Sequence, residues 1–293
     1  MSPQVVAILL AWSFEPQIVA GIALGAGLYA VGWAKLRRRG RGHFRMSTWR
    51  PVSFGFGLFA VALALLSPLA TFDELLLTIH MIQHLLLIIV AAPLILLGAP
   101  LLPILWAFPL GARKAIGRLF APRGAVHAFF HFLTTPAVSV AIYLIVLAVW
   151  HVPAFYDLAQ GQTLLHEAEH ASFFLGALIF WWPVIHPTGG RRRLSYGAAV
   201  LYIVPALIEG NLLGAILTLA PEPIYQTYAD SSGAFGLTPL QDQQVAGLIM
   251  WVVGGLLLLL PILILVYKLV GGEEGEESED AVTPDQPFVE SRK

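Results

Sequence analysis

No cysteine occurs anywhere in the chain, which excludes disulfides, thiolate metal sites and redox dithiols. Any soft-metal chemistry must fall to histidine, methionine or carboxylates. Charge is also scarce: Asp, Glu, Lys and Arg make up 12% of the 293 residues, against 57% hydrophobic residues and a mean hydropathy of +0.75. Soluble domains carry roughly 25% charged residues, so this composition describes a membrane protein. Period-two alternation is missing as well, which excludes a membrane β-barrel. The net charge of −1 hides an asymmetry, because 15 basic and 10 acidic residues precede residue 273, whereas 2 basic and 8 acidic residues follow from there.

What the sequence has in quantity is long apolar runs. A transmembrane helix needs about 20 mostly apolar residues, and seven windows qualify, at residues 17–36, 51–70, 74–98, 136–150, 163–184, 194–219 and 244–270. The fourth is short unless it begins near Ala125. These windows predict an all-α membrane protein, a seven-transmembrane helix bundle over residues 17–270, preceded by an outer segment at 1–16. The first ten residues lack a basic start and a small-residue cleavage site, so no cleaved signal peptide is expected. Residues 271–293 form an acidic, aromatic-poor tail expected to be disordered and cytoplasmic. Between Ala99 and Gly124, proline, tryptophan and basic residues mix as in an interfacial helix.

Orientation follows from the basic residues. They fall after span one (Lys35, Arg37, Arg38, Arg39, Arg41, Arg45, Arg50), after span three (Arg113, Lys114, Arg118, Arg123), after span five (Arg191, Arg192, Arg193) and after span seven (Lys268, Arg292, Lys293), which accounts for all 17. The positive-inside rule then puts the N-terminus outside and the C-terminus in the cytoplasm. Asp73, Glu74, Asp157, Glu222 and Asp230 fall on the outer loops, with Asp242 at the mouth of span seven. The arginine clusters are read as topology signals and lipid headgroup contacts, not as a nucleic-acid surface.

Nine histidines stand out among so few polar residues. His80/His84, His127/His131 and His166/His170 each have i, i+4 spacing, which puts both imidazoles of a pair on one helical face. Gln83 and Glu169 lie three residues after the first histidine of their pairs. At 1.5 Å per residue, His80 and His84 lie ~9 and ~15 Å along span three from its outer end, and His166 and His170 ~5 and ~10 Å along span five. His151, followed by Pro153, Tyr156 and Asp157, closes span four on the same side. A buried histidine is often only hydrogen-bonded to a neighbouring helix, and that reading is preferred for His151 taken alone. The two outer pairs together point to a site, because ionisable groups inside spans are costly and usually line a pathway. His127, His131, His43 and His186 belong to the inner side and are read as interfacial. Glu209, near the centre of span six, must be protonated, paired or part of a proton path, as in a transporter.

Imidazoles, carboxylates and thioethers without thiol suit Zn, Cu, Fe or Ni, and a dry site with methionine nearby tilts the choice toward copper. His80, His84, His166 and His170 are the primary ligand candidates, with His151, Asp242 and Met250 in second rank. Two alternatives stay open. Facing histidines on neighbouring spans suit the axial positions of a haem in an electron carrier. Residues 166–170 read His-Glu-Ala-Glu-His, the zinc metalloprotease pattern with Glu167 as general base, although His80/His84 would be surplus to such a hydrolase and no hydrophilic catalytic domain is in view.

The stretch from 80 to 100, HMIQHLLLIIVAAPLILLGAP, resembles the CtaG family of membrane assembly factors for caa-type cytochrome c oxidase. Three other blocks carry the resemblance: Trp150-His151-x-Pro153 with Tyr156; His166 through His170 with Phe173, Phe174 and Phe180-Trp181-Trp182-Pro183; and Asp242-Gln243 through Gly247, Met250 and Trp251. The resemblance implies a multi-pass plasma-membrane protein, not an enzyme, that helps to place copper in the catalytic subunit of the oxidase. The metal-ligand roles are assigned from spacing and depth.

Overall fold

Inside hydrocarbon, a long apolar run satisfies its backbone by bonding within the segment, and all regular structure among the described residues is helical. The computed structural model describes residues 11–39, 47–121, 124–185, 194–228 and 235–271. The first ten residues, the acidic tail from residue 272, His43, His186, Arg41, Arg45, Arg123, Arg191, Arg192, Arg193 and Asp230 lie outside them.

Helix α1 (Pro16–Arg39) is followed by α2 (Trp49–Leu66), α3 (Pro68–Phe72), α4 (Leu77–Leu85), a π-helical segment (Leu86–Ala91) and α5 (Ala92–Leu97). Next come α6 (Leu101–Ala107), α7 (Leu110–Leu119), α8 (Ala125–Leu133), α9 (Pro136–Trp150), α10 (Pro153–Gln160) and α11 (Thr163–Ile185). The described chain ends with α12 (Tyr196–Leu219), α13 (Pro239–Leu248), a second π-helical segment (Ile249–Gly254) and α14 (Gly255–Val270). Six stretches are long and apolar enough to cross a membrane, and α8 with α9 makes a seventh where that bent pair is counted as one span. The chain is thus a multi-pass helical membrane protein.

Span four starts at Pro136, as its apolar window predicts, but it is joined to the preceding helix by a bend, and the start of span seven differs from the sequence-based expectation. Span four breaks at Thr134 and Thr135, where α8 and α9 meet at 65°. Pro136 has no N–H to give and disfavours helix at the residue before it. The Thr134 and Thr135 hydroxyls donate instead to the carbonyls of Phe130 and His131, each at 2.9 Å. Span seven begins earlier than the apolar run, at Pro239, because Thr238 and Gln241 form a reciprocal capping box, which satisfies two otherwise unpaired donors at the helix start. The stretch expected to be interfacial is two short helices, of which α6 packs along α1.

Close approach between spans six and seven depends on a glycine pair. A Cβ on Gly214 would lie 2.8 Å from the Gly247 carbonyl oxygen, and one on Gly247 would lie 2.7 Å from the Gly214 carbonyl oxygen. Without side chains the two backbones meet directly, a common packing mode in membranes. The core around this crossing includes Met81, Ile88, Tyr143, Phe180, Ile203 and Met250. In the first π-helical segment the Ile88 carbonyl accepts from Trp181 Nε1 at 3.0 Å. Pro93, five residues on, has no N–H to supply that bond in π register.

Span seven also fixes the start of span three. Leu76, at the N-cap of α4, offers no side-chain acceptor. Asp242 supplies it: its carboxylate accepts from the Leu77 N–H at 2.7 Å and the Thr78 N–H at 3.1 Å, while the Thr78 hydroxyl donates to the Asp242 carbonyl at 3.2 Å. A carboxylate there also complements the positive end of the helix dipole. The donor helix α4 is thereby held in one register.

Candidate metal centre

Helix α4 carries His80 and His84 on one face and α11 carries His166, Glu169 and His170 on one face, as spacings of three and four residues require. The two faces meet. Ring centroids are 4.1 Å apart for His80–His84, 4.5 Å for His166–His170, 5.1 Å for His80–His166, 5.2 Å for His80–His170 and 5.2 Å for His84–His170. Glu169 Oε1 lies 3.6 Å from His80 Nε2 and 3.7 Å from His84 Nε2, and Asp73 Oδ2 lies 3.7 Å from His166 Nε2. Two overlapping donor groups result, Asp73/His80/His166/His170 and His80/His84/Glu169, with the ligand atoms of each within 4.8 Å of one another.

Those separations discriminate between hydrogen bonding and ligation. Contacts of 3.6 and 3.7 Å are too long for hydrogen bonds. Two donors held at about 2.0–2.2 Å from one ion stand up to about 4.4 Å apart, so the cluster lies within a small side-chain movement of ligation geometry. The partner count agrees. His80 Nε2, both nitrogens of His84, His166 Nε2, His170 Nε2 and both oxygens of Glu169 are buried and find no hydrogen-bond partner in the protein. Each such atom costs about 1–3 kcal/mol unless something satisfies it. A nitrogen- and oxygen-binding cation fits this donor set. At the rim, burial pushes the Asp73 carboxyl up to about 7.

Two neighbours decide which ring nitrogens are free. Gln160 on α10 brings its amide nitrogen to 3.3 Å from His80 Nδ1, while its amide oxygen has no partner. With the amide turned so that this oxygen accepts from Nδ1–H, the Nε2 lone pair faces the cluster. His151 caps the end of α9, and its Nδ1 donates at 2.8 Å to the Leu147 carbonyl, which also accepts from the His151 backbone N–H at 3.3 Å. Its buried Nε2 is left with a lone pair and no partner. Tyr156 lies edge-on to His80 at 5.5 Å, and its hydroxyl bonds that of Tyr228 at 2.9 Å.

Of the residues proposed as ligands from sequence, His80, His84, His166 and His170 are brought together. Asp242 is not: both of its carboxylate oxygens accept from the N-terminus of α4, and it belongs to neither donor group. Met250 and His151 lie outside the two donor groups, and with His84 and Met81 they line a separate small cavity. Glu169 and Asp73 belong to the cluster and were absent from the ligand set. The spacing of Glu169 to His166 was the available signal, whereas Asp73 gave none beyond its outer position. Glu167, the would-be general base, is exposed and accepts from Gln17 at 3.3 Å, away from His80 and His84. His127 and His131, 6.2 Å apart on α8, join neither group.

Residues 27–271 match the family described as cytochrome c oxidase caa3 assembly factor (Caa3_CtaG). The chain belongs to that family. Among similar curated proteins, an uncharacterised protein of Mycobacterium leprae is 26% identical over 294 residues, covering 97% of this chain and 42% of its own length. An uncharacterised protein of Mycobacterium bovis is 24% identical over 280 residues, covering 92% of this chain and 40% of its own. This Caa3_CtaG chain therefore spans about two fifths of the length of those relatives. No solved structure matches it. The matched region contains every member of the histidine–carboxylate cluster.

Proposed function

We propose that this chain handles copper for the assembly of a caa-type cytochrome c oxidase, holding the ion in the outer half of the plasma membrane before it passes to the catalytic subunit. One observation carries the reading: four imidazoles and two carboxylates from distant parts of the chain converge, buried, at spacings suited to ligation. Family membership supports the assembly role. Copper is favoured because imidazole ligands suit it, two thioethers adjoin His84 in the neighbouring cavity, and soft donors select Cu(I). The protein's part is to bind and release an ion; no residue is assigned to turnover.

The geometry speaks against the rivals raised by sequence. Axial histidines of a haem flank a porphyrin plane, whereas these rings are in mutual contact at 4.1–5.2 Å with Glu169 beside them. A zinc hydrolase needs Glu167 at the metal, and Glu167 is turned to Gln17. Metal analysis and an absorption spectrum on one purified sample test the reading. Bound copper is expected, with no Soret band, and is expected to be lost in His80→Ala/His84→Ala. Full copper occupancy in that double variant overturns it.

A further inference from the structure

The histidine–carboxylate cluster does not use every donor nearby. On the other side of His84 lies a cavity of about 30 Å³ bordered by Met81, His84, His151 and Met250. That is space for a body the size of one water molecule. Leu85, Ile88, Leu147 and Leu258 make up much of the remaining wall, so a strongly hydrated ion is not at home there. Met81 is 2% exposed and Met250 7% exposed. His151 and His84 are buried, and His151 Nε2 and both nitrogens of His84 lack partners.

We propose that Met81, His84, His151 and Met250 form a second, softer metal station that takes Cu(I) beside the histidine–carboxylate cluster. The inference rests on the copper reading of that cluster and adds a binding site to it. Two thioethers and two neutral imidazoles, with no carboxylate among the lining residues, make the donor set that selects Cu(I) over harder ions. The hydrogen bond from His151 Nδ1 to the Leu147 carbonyl holds the ring in the tautomer whose Nε2 can ligate, as outer hydrogen bonds do for metal-bound histidines generally. His84 faces both stations. It belongs to the donor group with His80 and Glu169 and also lines the small cavity. Met250 lies in the π-helical segment Ile249–Gly254, and a second π-helical segment begins at Leu86, two residues after His84. Such distortions recur at functional sites because they re-aim side chains. The common alternative for buried methionine is space filling, which predicts no bond from metal to sulfur.

X-ray absorption on the full chain labelled with selenomethionine and loaded with Cu(I) under reductant separates these readings. Met1 and Met46 are the other methionines. Two copper equivalents are expected, one with a thioether or selenoether shell and one with nitrogen and oxygen ligands only. Labelling changes no residue identity, so this readout does not depend on a variant folding. Met81→Leu/Met250→Leu is expected to remove the sulfur shell and one equivalent while the second equivalent stays. His166→Ala/His170→Ala is expected to leave the sulfur shell in place and remove the other equivalent. A copper spectrum free of sulfur and selenium in the unsubstituted chain overturns the second station and leaves the histidine cluster untouched. A sulfur shell accompanied by unchanged copper content in the His166/His170 variant overturns the cluster instead.

Discussion

Glu169 is the residue on which the cluster turns. Its side chain is fully buried, and one oxygen stands near both histidines of α4, so it joins the two ligand-bearing helices whenever a cation sits between them. Glu169→Gln keeps the volume and removes the anion. Metal affinity measured by competition titration is expected to fall at least about tenfold, within the ~10–100-fold range seen when partners of metal ligands are replaced. Unchanged affinity would show that the carboxylate is outside the ligand sphere. At this scale the sequence was half legible. The imidazole pairs could be read because spacing of four residues is a local property of a helix. Glu169 was visible as part of that same pattern, whereas the contact of Asp242 with α4 had no signal in the sequence. A carboxylate at a helix mouth looks the same whether it meets an ion or the N-terminus of another helix, and only the identity of its neighbour decides.

At the scale of elements, the spans were legible because each is a continuous apolar run, and their breaks were legible only where proline announced them. Pro136 marks the start of α9 and the bend in span four, whereas neither π-helical segment has a residue pattern that sets it apart from ordinary apolar helix. The bond from Asp242 to α4 belongs to this scale, since it joins one element to another. Asp242→Ala leaves the Leu77 and Thr78 N–H groups without acceptors, at about 1–3 kcal/mol for a buried unpaired donor. The expected outcome is a lowered melting temperature together with weakened metal binding, because residue 242 caps the helix that carries His80 and His84. Normal stability with reduced metal binding would instead return Asp242 to the ligand set.

Across the whole molecule, the histidine cluster and the described basic residues Lys35, Arg38 and Lys268 fall at opposite ends of their spans. Lys35 and Arg38 in the last turns of α1 and Arg113 on α7 line one cavity of about 360 Å³ at the basic end. The orientation rule puts that end in the cytoplasm, and the absence of cysteine makes the point directly testable. Gln162 and Ser47 are both exposed. In intact cells an impermeant maleimide is expected to label Gln162→Cys, and to label Ser47→Cys only after the membrane is opened; the reverse pattern would invert the topology and put the cluster on the cytoplasmic side. The convergence itself was only inferred from depth in the sequence, because helix neighbours are set by packing between distant segments. The tie between Leu77 and Asp242, 165 residues apart, has a consequence for synthesis. All four clustered histidines have been made long before the carboxylate that closes the head of their first helix emerges. A chain stopped after Thr238 is therefore expected to retain no metal on purification despite carrying every imidazole, and full retention would refute this. The pocket is expected to mature only once the helix that carries Asp242 has been made.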